Sequence, residues 1–403
     1  MGGRLGAKFW REQGMPSWSL ALEGARREVA GLKGLAKGRR VAWFGYFAAK
    51  ELLSTVKLVP FALRSITARA AITQESLRRL TEADVSVARH QYGELERNLV
   101  DVYTPEGPQQ KGLPVVLFVH GGVWSSGELW HYSAMGADLA RQNCVVVVAT
   151  YNFYPDVLVP HQVNDVDAAL RWTEENCERF GGSREKISVV GHSSGAHLSL
   201  MAVLKRAGLY REEGKGDLGQ VTVPRSVVLM AGVYDIERHY EYERRRGVHS
   251  LSAMARAHGG HTNFAGLSPA RLLSGDDKTS KGVDEIVAEI DAYEGERADL
   301  QRTGDGVPGG LLLSKPKRSK VPSSRHEFPR VFLMSGLSDD VVPWYWSNEL
   351  AQILDKNSIQ FSNTVYKGAS HLDFIACFNR NNKGFGGIKD DLVKIRRDLL
   401  SNL

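Results

Sequence analysis

One serine of this sequence stands in a pattern that could make it a nucleophile. Residues 191–195 read GHSSG, follow the apolar run 187–190 and open a helical stretch. A G-x-S-x-G motif between a strand and a helix is typical of a nucleophile elbow, which exposes the serine hydroxyl at the carboxyl end of the strand. The adjacent helix N-terminus favours a developing negative charge. The motif therefore predicts covalent catalysis through Ser193.

A glycine-rich turn upstream of this motif could donate hydrogen bonds to an oxyanion. Residues 120–124 read HGGVW and end the apolar run LPVVLFVH. Glycine lets backbone N–H groups approach a ligand closely, and the N–H of the residue after the nucleophile completes such a site. We therefore predict an oxyanion hole formed by the backbone N–H groups of Gly122, Val123 and Ser194.

A serine hydroxyl is a weak nucleophile, and it needs a base that is oriented by an acid. After a nucleophile elbow, the expected chain order is an acid and then a histidine. The strand run PRVFLMSG is followed by LSDDVVP, and the next strand run is followed by KGASHLD. This order predicts His371 as the general base and Asp339 as its orienting acid, with Asp340 as the alternative acid.

Two further residues are candidates for contact with a substrate. Trp124 ends the glycine-rich turn and His192 lies inside the serine motif. For both side chains, packing in the protein core is the alternative interpretation. The remaining histidines show no metal-ligand spacing, and the three scattered cysteines form neither a disulfide framework nor a zinc pattern. No metal site is predicted, and acyl transfer through a serine requires no cofactor.

The elements that would position these residues alternate between strands and helices. Several of the strand runs are continuous in Val, Leu and Phe, which is typical of strands covered on both faces. The strands are predicted at 99–103, 114–120, 145–151, 187–191, 226–232, 330–336 and 362–366. The helices are predicted at 132–142, 163–180, 194–208, 344–356 and 385–402. This alternation predicts an α/β fold with a mostly parallel, doubly wound sheet, over a catalytic domain of residues 91–403.

Residues 273–328 interrupt this alternation. The segment is rich in Asp, Glu, Lys, Gly and Ser, as in SGDDKTSKG and SKPKRSKVPSSRHE. Such a composition predicts a long disordered insertion between two strands, which could include a short helix at 283–293. A solvated loop without function is one interpretation, and regulation or partner docking is the other.

The positive charge of the chain is concentrated at its N-terminus. Residues 1–80 carry a net charge of +10, so the other 323 residues carry −4 of the total of +6. A nucleic-acid enzyme is usually basic around its site. The distribution therefore argues against a nucleic-acid partner for the catalytic domain.

We predict that residues 1–90 form a basic helical extension. Its most apolar part, residues 41–63, contains Lys50, Ser54 and Lys57, which would share one face of a helix. Such a helix, within residues 39–66, is predicted to rest on an anionic membrane surface. A cap packed on the catalytic domain and a true membrane span are the alternatives.

These motifs resemble the α/β-hydrolase superfamily, in the branch with an HGG-x-W oxyanion loop. Within that branch they are most similar to the prenylcysteine methylesterases. The matching segments are FGGSREKISVVGHSSGAH at the elbow, RGVHSLSAMARAHGG followed by LSPARLL, SGLSDDVVP at the acid, and YKGASHLD at the histidine. The likeness covers roughly residue 90 to the end of the chain, and it places the acid on Asp339 and the base on His371.

The resemblance implies the α/β-hydrolase fold and hydrolysis of a small-molecule ester, such as a prenylcysteine methyl ester. It also implies a membrane-associated protein of the endoplasmic reticulum or Golgi, with a cytoplasmic protein as the alternative. Kynurenine formamidases share the HGG-x-W loop, and general carboxylesterases and lipases are similar in other segments, so these activities remain open. A non-catalytic ligand receptor on the same fold is a further alternative. The oligomeric state is not predicted.

Overall fold

The structure is a computed structural model, and its described residues include most of the predicted catalytic domain. These are residues 85–106, 111–211, 222–275, 283–303, 311–314, 328–378 and 386–400, with scattered positions between 30 and 46. Most of the segment predicted to contact a membrane, residues 39–66, lies outside them. Within the described ranges, no helix has the length and hydropathy needed to cross a bilayer.

The described strands form one nine-stranded sheet, in which the central strands are parallel. In chain order, the strands are β1 (Val85–Gln91), β2 (Leu99–Pro105), β3 (Leu113–Val119), β4 (Val145–Ala149), β5 (Gly182–His192), β6 (Ser226–Met230), β7 (Leu311–Ser314), β8 (Arg330–Gly336) and β9 (Phe361–Tyr366). Their order across the sheet is β1-β2-β4-β3-β5-β6-β8-β9-β7. The pairs from β4 to β9 are parallel, whereas β1, β2 and β7 pair antiparallel at the two edges.

The continuous apolar strands are covered on both faces, as their sequences predict. Every residue of β3 (LPVVLFV) and of β4 (VVVVA) is buried. Leu117 of β3 faces one core cluster and its neighbour Phe118 faces the other, because successive side chains of a strand point to opposite faces. The sheet is therefore doubly wound, which confirms the predicted fold class.

Helices cover both faces of this sheet. In chain order, the helices are α1 (Ser133–Ala140), α2 (Val159–Asn176), α3 (Ser194–Arg206), α4 (Ile236–Arg246), α5 (Met254–Ala257), α6 (Pro269–Ser274), α7 (Val283–Thr303), α8 (Tyr345–Lys356), α9 (Asp373–Ala376) and α10 (Gly386–Leu400). The five predicted helices correspond to α1, α2, α3, α8 and α10, and all seven predicted strands are present. Strands β1 and β7 and helices α4, α5, α6 and α9 have no counterpart among the predicted elements.

The prediction of a disordered insertion at 273–328 is wrong for its central part. Helix α7 is 21 residues long and extends well beyond the expected 283–293. Its residues Ile286 and Ile290 are each only 2% exposed and belong to the main core cluster. The apolar residues recur at helical spacing within a polar composition, and their burial against the domain outweighs that composition. A short strand of the same segment, β7, adds to the sheet edge beside β9.

Candidate active site

Ser193 lies in a strained turn between β5 and α3. Its backbone has φ 54° and ψ −124°, a conformation that residues other than glycine rarely adopt. A Cβ atom on Gly195 would lie 2.2 Å from the carbonyl oxygen of Val119, and one on Gly191 would lie 2.5 Å from the carbonyl oxygen of Gly195. The glycines of the motif are therefore required because the turn packs directly against neighbouring backbone.

The structure brings Ser193, His371 and Asp339 together in one hydrogen-bonded series. These residues follow β5, β9 and β8, whose carboxyl ends lie at the same edge of the parallel sheet. His371 Nε2 is 2.9 Å from Ser193 Oγ, and His371 Nδ1 is 2.8 Å from Asp339 Oδ2. A base in this arrangement can accept the hydroxyl proton while the carboxylate orients the ring.

The two neighbouring aspartates have different partners. The Asp339 side chain is fully buried, and its Oδ1 accepts hydrogen bonds from the backbone N–H groups of Val341 and Val342, each at 2.8 Å. Asp340 Oδ1 instead accepts a 2.7 Å hydrogen bond from Arg297. Asp339 is therefore the carboxylate that contacts the histidine, while Asp340 is held in an ion pair.

The ring of His192 holds the backbone of the proposed base, His371. Its Nε2 donates to the carbonyl oxygen of His371 at 2.9 Å. Burial, with a smaller contribution from the charge of His371, lowers the pKa of His192 to about 3, so the ring is neutral near pH 7. On the other side of His371, the N–H and hydroxyl of Ser370 both donate to Asp373 Oδ2. The loop that carries His371 is thereby held from both sides.

The glycine-rich turn lies against the serine. Gly122 has φ 142°, and Val123 and Trp124 have φ 53° and 57°. A Cβ atom on Gly122 would lie 1.9 Å from the carbonyl oxygen of Ser126, and one on Gly121 would lie 2.9 Å from the Cβ of Ser193. The turn that carries Gly122 and Val123 thus approaches Ser193 through Gly121, and Ser194 follows the serine in the chain. Ser194 begins α3, where the first N–H groups have no intrahelical acceptor.

His120 supports this turn, a role that its sequence position did not indicate. The ring is fully buried, and its Nδ1 donates to the carbonyl oxygen of Gly121 at 2.8 Å, while its Nε2 is 3.0 Å from the hydroxyl of Thr150. Burial lowers the pKa of His120 to about 4, so it is neutral near pH 7. A Cβ atom on Gly127 would lie 2.4 Å from the ring. A residue with a side chain therefore does not fit at position 127.

Trp124, a candidate for the substrate pocket, lies in the core in this structure. Its side chain is 2% exposed, and Nε1 donates to His197 Nδ1 at 3.2 Å. Its ring meets the edge of His258, with 4.8 Å between the ring centroids. These contacts anchor the end of the glycine-rich turn. Across the described ranges, no three His, Cys, Asp or Glu side chains are arranged to hold a metal ion.

Comparison with known proteins agrees with this architecture. Residues 100–262 match the BD-FAE family model. The fold is similar to the crystal structure of esterase B from Lactobacillus rhamnosis, with a TM-score of 0.58 and 17% identity over 89% of this chain and 97% of that one. The chain therefore has the α/β-hydrolase fold. At this identity the structural likeness establishes the fold alone, and the parallel strands of this fold account for the common edge at which the three residues meet.

Curated relatives of this chain include esterases. The chain is 28% identical over 283 residues to the probable isoprenylcysteine alpha-carbonyl methylesterase ICMEL1 of Oryza sativa subsp. japonica, covering 70% of this chain and 56% of the relative. It is 34% identical over 162 residues to the esterase LipC of Mycobacterium tuberculosis, covering 40% of this chain and 40% of the relative. The similarity therefore spans about half of these relatives or less.

Proposed function

We propose that this α/β-hydrolase is a serine carboxylic-ester hydrolase. The observation that carries the proposal is the continuous series Ser193–His371–Asp339, with contacts of 2.9 and 2.8 Å. The first contact, between Ser193 Oγ and His371 Nε2, is within the range over which a proton can pass from the hydroxyl to the imidazole. The relatives named as esterases support the same chemistry.

The proposed reaction is acyl transfer in two steps. His371 takes the proton of Ser193 as its oxygen attacks the ester carbonyl, and the N–H groups of Gly122, Val123 and Ser194 hold the oxyanion. His371 then protonates the leaving alcohol, and water attacks the acyl-enzyme by the same path. Throughout, Asp339 holds the imidazole in the tautomer whose Nε2 faces the serine.

The proposed substrate is an apolar ester, such as a prenylcysteine methyl ester, which would release methanol. The motif resemblance and the relative named as an isoprenylcysteine methylesterase support this choice. Similarity to LipC supports a general carboxylesterase as a second candidate. A formamidase acting on an amide such as N-formylkynurenine is a third, because the HGG-x-W turn is shared with that group.

A fluorophosphonate probe, followed by peptide mass mapping, tests the proposal and separates an enzyme from a non-catalytic receptor. The full chain is expected to be modified at Ser193, because the probe reacts only with a serine that an adjacent base activates. Turnover of a prenylcysteine methyl ester, N-formylkynurenine and short acyl esters then ranks the substrate classes. Absence of both labelling and turnover would favour the receptor.

Association with a membrane surface through residues 39–66 is part of the same proposal. The net charge of +10 within residues 1–80 supports contact with anionic lipid. An endoplasmic reticulum or Golgi location is implied by the motif resemblance, with a cytoplasmic location as the alternative. Co-sedimentation of the full chain with anionic vesicles, but not with neutral ones, is the result that this proposal expects.

A further inference from the structure

Helix α7 contacts the loop that carries the triad acid. This loop, residues 337–342, connects β8 to α8 and contains Asp339. Arg297 of α7 donates from Nε to the carbonyl oxygen of Leu337 at 2.8 Å and from Nη2 to Asp340 Oδ1 at 2.7 Å. Gln301, one turn later, lies 3.4 Å from the same carbonyl oxygen. The guanidinium therefore holds the loop on each side of Asp339, by the backbone carbonyl of Leu337 and by the side chain of Asp340.

Arg297 is well placed to hold the loop firmly. Its side chain is 10% exposed and that of Asp340 is 16% exposed, so the pair is largely shielded from water. Burial acts to lower the pKa of Arg297, but the carboxylates of Asp340 and Glu294 outweigh it and raise the pKa. A planar guanidinium can serve two acceptors at once, which a lysine cannot do in the same geometry.

The helix that carries Arg297 is itself anchored to the domain. Ile286 and Ile290 enter the core, and the Tyr293 ring stacks on Tyr345 of α8 with 4.8 Å between the centroids. On its other side, α7 forms two ion pairs with α4. Glu289 pairs with Arg238, and Asp291 pairs with Arg245. Helix α7 therefore presents Arg297 from a fixed position. It also lies beyond residue 262, where the match to the family model ends.

We propose that Arg297 is a positioning residue that keeps the acid loop in the register that places Asp339 against His371. The insertion is thereby part of the catalytic apparatus of this chain. The pairing with Arg297 also compensates the charge of Asp340, the carboxylate that follows Asp339 in the acid loop. This inference rests on the proposed esterase function and identifies which part of the chain maintains the triad.

The Arg297–Asp340 pair and the base His371 determine how the rate should depend on pH in a variant of Arg297. Several charged and titratable groups surround both. Around the Arg297–Asp340 pair they are Glu294 of α7, Tyr242 and Arg246 of α4, and Tyr345 of α8. Around His371 they are Asp339, Ser193, His192 and His239. Among these groups, Arg297 forms a 2.7 Å ion pair with Asp340.

Kinetics of Arg297→Met in the full chain tests the inference. We expect kcat on a p-nitrophenyl ester to fall about tenfold, with KM within a factor of two, because the triad geometry is lost while substrate contacts remain. The acid limb of the pH–rate profile should move to higher pH by about half a unit, because loss of the Arg297 charge leaves the negative charge of the acid loop less compensated, which favours the protonated base. Adding Asp340→Asn should return the limb to its original position without restoring kcat.

Arg245→Met is the matched control. It removes a solvent-exposed ion pair of α7 that adds little to the anchoring by Ile286 and Ile290, and it does not touch the acid loop. It should leave kcat and the pH profile unchanged. If Arg297→Met does not fold, Arg297→Lys replaces it and should lower kcat while keeping the pH limb in place. Unchanged kinetics in a folded Arg297 variant, or an equal loss in Arg245→Met, would overturn the inference. Absence of labelling in the unmodified protein would instead overturn the proposed function, and this inference with it.

Discussion

Replacing Ser193 with alanine is expected to lower kcat/KM for a short p-nitrophenyl ester by at least about 10⁴-fold. The substitution removes the hydroxyl oxygen that lies 2.9 Å from His371 Nε2 and leaves the base no hydroxyl to activate. The expected residual rate comes from the oxyanion hole and from binding. Initial rates of the purified variant, with active-site titration of the unmodified protein, measure the effect.

Ser199→Ala is the matched control for this substitution. Ser199 lies on α3, six residues after Ser193, and is as fully buried as the surrounding core. It takes no part in the series of hydrogen bonds that ends at Asp339, so its loss should leave kcat/KM within a factor of about two. A Ser193→Ala protein that keeps its rate would show that another group performs the chemistry.

The three central residues of the site could be predicted because their positions follow from strand order. Parallel strands end at one edge of a sheet, so loops after β5, β8 and β9 must lie near one another. The G-x-S-x-G spacing marks the first of these loops, since only glycine tolerates the backbone contacts on both sides of Ser193. Chain order then assigns the acid and the base. Local sequence patterns were enough because each residue lies a few positions beyond a strongly apolar strand.

The missed elements are those whose stability comes from long-range packing. Strand β1 reads VSVARHQ, and only its first residue is buried, because it pairs on one side at the edge of the sheet. Helix α7 carries its few buried apolar residues in a polar stretch, so its composition resembles that of a loop. In both cases the signal is a spacing of isolated apolar residues rather than a continuous run.

The supporting histidines could not be assigned from sequence for a related reason. His120 and His192 each adjoin a motif, but their roles depend on hydrogen-bond partners far away in the chain, the hydroxyl of Thr150 and the carbonyl of His371. Burial keeps both rings neutral, which fits them for holding backbone carbonyls in place rather than for proton transfer. The turn and the base loop are therefore positioned by neutral imidazoles, while His371 remains the ring that faces the serine.

The choice between Asp339 and Asp340 was open in the sequence and gives the second large expected effect. Asp339→Asn should lower kcat by about 10⁴-fold near pH 7, because an amide cannot hold the imidazole in the required tautomer. The side chain of the asparagine would retain the size of the carboxylate and could still accept from the N–H of Val341. The loss should therefore appear in kcat rather than in folding, which denaturant unfolding of the same variant measures.

Asp340→Asn is the comparison that makes this prediction decisive. It alters a carboxylate one position away whose partner is Arg297 and not His371. The contact of Arg297 with the Leu337 carbonyl survives the substitution, so the loop keeps one of its two attachments to α7. We therefore expect a loss of less than about tenfold. An equal loss of activity in the two variants, or a larger loss in Asp340→Asn, would contradict the prediction. The contact of Asp339 with His371 would then not be the interaction that limits the rate, and the orientation of the base would depend on the acid loop as a whole.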